Sequence, residues 1–196
     1  MKYNPEIHHR RSIRLQGYDY SQPGAYFVTL CTYQKQCWFG EIHHGQMQLN
    51  QIGNIVVREW LKTSQIRPTF KLDEWIVMPN HLHGIVWIIE SKIKAIATTN
   101  LDKTRQRTKK LNRPANSLGS MIGGFKASVT KQINQFRHNQ AIPIWQRNYY
   151  ESIIQDEKAL NSIREYIKNN PERWQEDPDN PQHHPDFSEY LLDLVF

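Results

Sequence analysis

Apolar residues in this chain fall into two patterns: short runs dense in β-branched and aromatic side chains, and longer stretches where they recur every three or four positions. Residues 25–33 (AYFVTLCTY) belong to the first pattern and read as a strand. A hairpin-like stretch around Gly40 and Gly45 follows. Between 52 and 61 the apolar positions Ile52, Ile55, Val56, Trp60 and Leu61 recur at helical spacing, which predicts a first helix stopped by Arg67–Pro68. Residues 70–77 and 82–89 are two more strand-like runs. Met78-Pro79-Asn80 separates them with turn chemistry, so an antiparallel hairpin is expected. A second helix spans 117–136 on a stripe of Leu118, Ile122, Phe125, Val129, Ile133 and Phe136, with Lys126 and Lys131 off it. Residues 144–154 read as a fourth strand. Asp156 can cap a third helix over 157–169, which Pro171 helps to end.

The order is strand, helix, strand, strand, helix, strand, helix. Its first six elements match a ferredoxin-like split βαβ sandwich of the α+β class. That layout is an antiparallel sheet with two helices on one face, to which an additional C-terminal helix is joined. Many functions share this architecture, so the site must decide.

Composition narrows the field. With 196 residues, 38% of them hydrophobic, the chain is sized for one compact domain with a core. No apolar run approaches a membrane span, and the start MKYNPEIHHRRSIR lacks the apolar stretch of a secretory signal. Cys31 and Cys37 form no CxxC pair and no disulfide framework, so a cytoplasmic setting and no membrane partner are expected. The net charge of +6 is unevenly spread. Residues 1–20 read as a basic arm. Residues 91–113 hold eight Lys or Arg against the single acid Asp102, without sustained periodicity, and read as a flexible basic insertion. Residues 172–196 hold seven acids and only Arg173. Such polarity points to a polyanionic partner more strongly than the total does.

The segment with the most chemical content is His81-Leu82-His83. On a strand, residues two apart face the same side, so both imidazoles project together while Leu82 points into the opposite layer. Paired neutral imidazoles form a ready divalent-metal site. In a chain with nine histidines the same spacing also arises by chance. A second candidate is Tyr166 on the third helix, sharing its side with Ile163 and followed one turn later by Asn170. A phenol can attack phosphorus when a cation polarises the phosphate, and Asn170 could add an oxygen ligand. A tyrosine at such a position also commonly packs.

Met78-Pro79-Asn80-His81-Leu82-His83-Gly84, Trp145-Gln146-Arg147-Asn148-Tyr149-Tyr150-Glu151 and Arg164-Glu165-Tyr166-Ile167-Lys168-Asn169-Asn170-Pro171 together resemble the HUH single-tyrosine transposases. The opening GYDYSQPGAYFVT from Gly17 and LGSMIGGFK from Leu118 are similar to the REP-associated tyrosine transposase branch. The resemblance covers roughly residues 10–175. It implies a catalytic domain over 21–175 between the arm and an acidic tail, 176–196. It further implies Mg²⁺ or Mn²⁺ held by His81 and His83 with Asn170 approaching, and Tyr166 as the nucleophile. Attack would leave a 5′-phosphotyrosine and a free 3′-OH on single-stranded or hairpin DNA, in a monomer or homodimer.

Departures exist. Relatives commonly carry His and Arg where this chain has Ser152 and Gln155, so a catalytically decayed nucleic-acid-binding protein is a second reading. An HxH metallohydrolase is a third, although no partner motif for a further ligand stands out in the sequence. Tyr149 and Tyr150 are rival nucleophiles that would face opposite ways on a strand. DNA contacts are expected from Arg10, Arg11 and Arg14, from Lys103, Arg105, Arg107, Lys109 and Lys110, and from Lys126, Lys131 and Arg147. Trp145 and Tyr149 are candidates for stacking on unpaired bases. The acidic tail is expected to fold back over basic surface.

Overall fold

The computed structural model describes residues 17–90, 116–138 and 142–183. Strand β1 (Gly24–Cys31) leads to a small hairpin of β2 (Gly40–His43) and β3 (Gln46–Leu49), then helix α1 (Gln51–Ile66). Strands β4 (Phe70–Val77) and β5 (His81–Ile88) follow, then helix α2 (Leu118–Arg137), strand β6 (Tyr150–Ile154) and helix α3 (Glu157–Asn169). The main sheet has the order β4-β5-β1-β6 with every neighbouring pair antiparallel. This is the expected ferredoxin-like α+β sandwich.

Side chains alternate across the sheet and divide its faces. Val28, Leu30, Leu82 and Val86 join Val56 and Trp60 of α1 and Ile122 and Val129 of α2 in the larger core. Ala25, Phe27 and Ile85, on the other parity, pack with Leu160 and Ile167 of α3. Helices α1 and α2 therefore cover one face, and α3 lies on the other. Each of the three helices starts on a side-chain cap, with Asn50, Ser117 and Asp156 accepting from Gly53, Ser120 and Ala159. Gly84 is fixed by a close approach: a Cβ there would lie 2.7 Å from Trp60 Cζ2. The indole of α1 thus lies against the strand that carries both histidines.

Helix α1 ends at Ile66, immediately before Arg67–Pro68 as expected, and the Arg67 N–H closes it on the Thr63 carbonyl. One expectation needs correction. The strand expected over 144–154 is paired only from Tyr150. Trp145 makes a lone bridge to Thr32, and the next residues loop away because Lys126 Nζ donates to the carbonyls of Gln146 (3.0 Å) and Asn148 (2.7 Å). A carbonyl bound to an ammonium is withdrawn from the ladder.

Candidate active site and metal centre

His81 and His83 lie on the α3 face of β5, as strand parity requires, with ring centroids 4.4 Å apart and exposures of 0% and 3%. Each ring is held through Nδ1. His81 Nδ1 is 2.9 Å from Asn80 Oδ1, and His83 Nδ1 is 2.9 Å from Thr29 Oγ1. With the proton on Nδ1, each Nε2 presents a lone pair inward. Asn80 is itself anchored, its Nδ2 donating to the carbonyls of Lys35 and Asp179. Phe27 stacks on the His83 ring at 5.5 Å and meets Tyr166 edge-on at 6.1 Å.

Helix α3 brings Tyr166 over this face, with its hydroxyl 3.2 Å from His83 Nε2. The helix is gripped at a bulge in β4 between Leu72 and Trp75. There Asp73 takes a two-pronged contact from Arg164, at 2.8 Å from Nε and 2.6 Å from Nη2, and accepts from Trp87 Nε1. One turn beyond Tyr166, Asn170 is 3% exposed with an unpartnered Oδ1. It sits near enough to bias the protonation of both His81 and Tyr166 without a well-formed hydrogen bond.

One participant was missed in the sequence. Past α3 the chain makes a short 3-10 turn, Trp174–Glu176, and returns across the histidines. Asp177 lies there at 6% exposure, and one ligand atom each from His81, His83 and Asp177 fall within 4.8 Å of one another. The only sequence signal was the Asp177-Pro178-Asp179-Asn180 run, turn chemistry that reads as tail.

The electrostatics suit a cation. Burial pushes the His81 imidazolium down to about 3 and holds His83 well below the usual range, so both rings are neutral, the form that ligates. Burial raises the Asp177 carboxyl, and burial plus the Asp177 charge raises the Tyr166 phenol. A divalent ion would offset these penalties at once, because it favours neutral imidazole, carboxylate and phenolate. His81 Nε2, Asn170 Oδ1 and Asp177 Oδ2 are all buried without a hydrogen-bond partner. Orphaned buried polar atoms are costly, and a shared cation would satisfy all three. The donor set fits a divalent metal.

Of the residues expected to touch DNA, Lys131 and Arg147 are exposed. Lys126 is mostly committed to the 146–149 loop, with Trp145 and Tyr149 beside its ammonium, and burial lowers it to about 8. With Lys131, Pro143, Ile144 and Trp145 it lines a groove of about 500 Å³. Arg10, Arg11, Arg14, Lys103, Arg105, Arg107, Lys109 and Lys110 lie outside the described residues, as does the whole 91–113 insertion. Tyr149 packs on the α1 and α2 side. Tyr150 lies opposite Thr29 on the site face, 45% exposed. Ser152 pairs with Phe27, and Gln155 is exposed before α3.

No protein-family model matches the chain. Its fold is similar to that of a solved structure of the REP-associated tyrosine transposase bound to a REP hairpin, with a TM-score of 0.51 over 84% of this chain and 74% of that one, at 16% identity. In sequence, the chain is 45% identical over 177 residues to an uncharacterized protein of Haemophilus influenzae, covering 90% of this chain and 96% of the relative, and it belongs to the same family as that protein. Among the described residues no helix is long and apolar enough to cross a membrane.

Proposed function

We propose that this protein cuts and rejoins single-stranded DNA, with Tyr166 as nucleophile and His81, His83 and Asn170 holding Mg²⁺ or Mn²⁺ at the scissile phosphate. The observation that carries this reading is the 3.2 Å separation of the Tyr166 hydroxyl from His83 Nε2 on the face where the orphaned ligand atoms converge. The cation supplies positive charge that polarises the phosphate and eases loss of the phenol proton.

The chain's own residues do the positioning. Thr29 and Asn80 orient the two imidazoles, Phe27 walls the site from below, and the Asp73–Arg164 contact sets the height of α3. The deprotonated Tyr166 oxygen forms a bond to phosphorus as the bond from phosphorus to the 3′ oxygen breaks, and that oxygen takes up a proton. A 5′-phosphotyrosine and a 3′-OH result, and the reverse reaction onto another 3′-OH rejoins the strand. Phosphoester energy is kept in the protein link, so no nucleotide cofactor is needed. The REP hairpin held by the structural relative suggests folded-back single strands as substrate.

Incubation with single-stranded hairpin DNA and Mn²⁺ should yield a denaturant-resistant protein–DNA adduct. It should vanish in Tyr166→Phe, His81→Ala and His83→Ala. Asp177 favours a second reading, since it offers the carboxylate that a metal-dependent hydrolase would need. Cleaved DNA with free 5′ ends and no adduct would establish that alternative. Binding without cleavage in any form would establish the decayed, non-catalytic one.

A further inference from the structure

We infer that Asp177 is itself a ligand of the cation held by His81 and His83, so that metal binding staples the segment after α3 onto the active site. The inference rests on the metal-dependent reading above. It adds a donor from outside the histidine strand and the tyrosine helix, and a structural consequence of metal occupancy.

The two carboxylate oxygens of Asp177 have different surroundings. Oδ1 accepts from the Asp179 backbone N–H at 2.7 Å, which fixes the plane of the group. Oδ2 is buried, has no hydrogen-bond partner, and lies 3.7 Å from His81 Nε2, which is also unpartnered. His81 Nδ1 lies 2.9 Å from the Asn80 amide oxygen, which can only accept, so the proton sits on Nδ1 and Nε2 turns a lone pair toward the carboxylate. Two electron-rich atoms held face to face in a buried site repel unless a proton or a cation lies between them, and a cation would serve the unpartnered Asn170 oxygen as well. Asn170 Oδ1 is a third unpartnered atom of the same site.

The backbone around Asp177 is built to keep it there. Asn180 donates from its side chain to the Trp174 carbonyl at 2.8 Å and from its backbone to the Asp177 carbonyl at 2.9 Å. Lys35 ties the neighbouring residues, reaching the Pro178 carbonyl at 2.8 Å and the Asp179 carboxylate at 3.2 Å. Trp174, 8% exposed, lies 6.1 Å from the His81 ring. A ligand set of two imidazoles, an amide oxygen and a carboxylate mixes nitrogen with hard oxygen donors, a combination suited to Mn²⁺. One negative ligand also halves the charge that the protein must accommodate when a divalent ion enters.

The test uses the full chain and Mn²⁺ alone, titrated while the free-ion electron paramagnetic resonance signal is followed. Asp177→Asn should weaken Mn²⁺ binding at least about tenfold, because even ligand-orienting partners commonly matter on that scale. Metal-free Asp177→Asn should melt no lower than the wild type, since it loses a buried charge whose Oδ2 has no hydrogen-bond partner while an amide oxygen can keep the Asp179 N–H contact. Hydrogen exchange on the wild type provides a readout that needs no variant: Mn²⁺ should slow the amides of residues 174–183. Asp177→Asn binding Mn²⁺ as tightly as the wild type, while His81→Ala does not, would overturn the inference and leave the metal-dependent reading standing. Unchanged exchange at 174–183 under saturating Mn²⁺ would overturn it equally. A wild type that binds no Mn²⁺ would defeat both.

Discussion

The Thr29 hydroxyl and the Asn80 amide oxygen each lie 2.9 Å from Nδ1 of one of the paired histidines, leaving each Nε2 to face the proposed cation position. Replacing Thr29 with Val keeps the strand and its volume but removes the partner of a buried ring nitrogen. Mn²⁺ affinity of Thr29→Val should fall about 10- to 100-fold, with loss of about 1–3 kcal/mol of stability, measured by metal titration and urea unfolding. The histidine pair was legible in the sequence because a strand has a fixed period of two, so His81 and His83 had to share a face. Tyr166 was legible only as a candidate, since helical spacing alone cannot separate a nucleophile from a packing residue; the family resemblance selected it. Asp177 was not legible. It lies 96 positions from His81, in a stretch whose composition reads as a solvated tail, and only the return of the chain across β5 brings the two together.

At the scale of elements, the position of Tyr166 depends on how α3 sits on the sheet. Residues Asp73 and Glu74 occupy the irregular part of β4, where the ladder opens, and meet Arg164 and Lys168 of the tyrosine helix. The Arg164 guanidinium, helped by Trp87 and the Glu74 backbone, holds the Asp73 carboxyl down to about 2 from an ordinary 3.8. A folded-state value below the unfolded one means that ionised Asp73 stabilises the fold above 3.8 and loses that contribution as pH falls toward about 2. In urea unfolding, wild type should therefore exceed Asp73→Asn in stability at neutral pH, and the gap should close across that acid window. Adduct formation in Asp73→Asn should also slow at neutral pH, because α3 loses its clamp. No sequence pattern announced this clamp, since a bulge interrupts the very alternation by which strands are read. The shortened β6 escaped for a related reason: residues 146–149 lie between strand-like Ile144-Trp145 and Tyr150–Ile154, but Lys126 of α2 captures the carbonyls of Gln146 and Asn148.

The molecule as a whole is a sheet with unlike faces. One is covered by α1 and α2 and forms the larger core, while the other carries the histidines beneath α3 and the returning segment. The two-helix face was visible in the apolar stripes and in the element order, which is why the ferredoxin-like layout could be read from the sequence; the seat of α3 on the opposite face was not. The contact at Gly84 links the faces: any side chain there collides with Trp60 on one side of β5 while His83 holds the other. Gly84→Ala should cost about 1–3 kcal/mol through overpacking, seen as a lower melting temperature, and should weaken metal binding by shifting the strand. In the proposed reaction the phenol on α3 becomes covalently joined to DNA over the paired histidines, a bond that peptide mapping of the adduct formed with hairpin DNA and Mn²⁺ would locate. Mass spectrometry is expected to find the nucleotide on the peptide containing Tyr166; a nucleotide on Tyr149 or Tyr150, or cleaved DNA with no protein-linked nucleotide, would overturn the proposal.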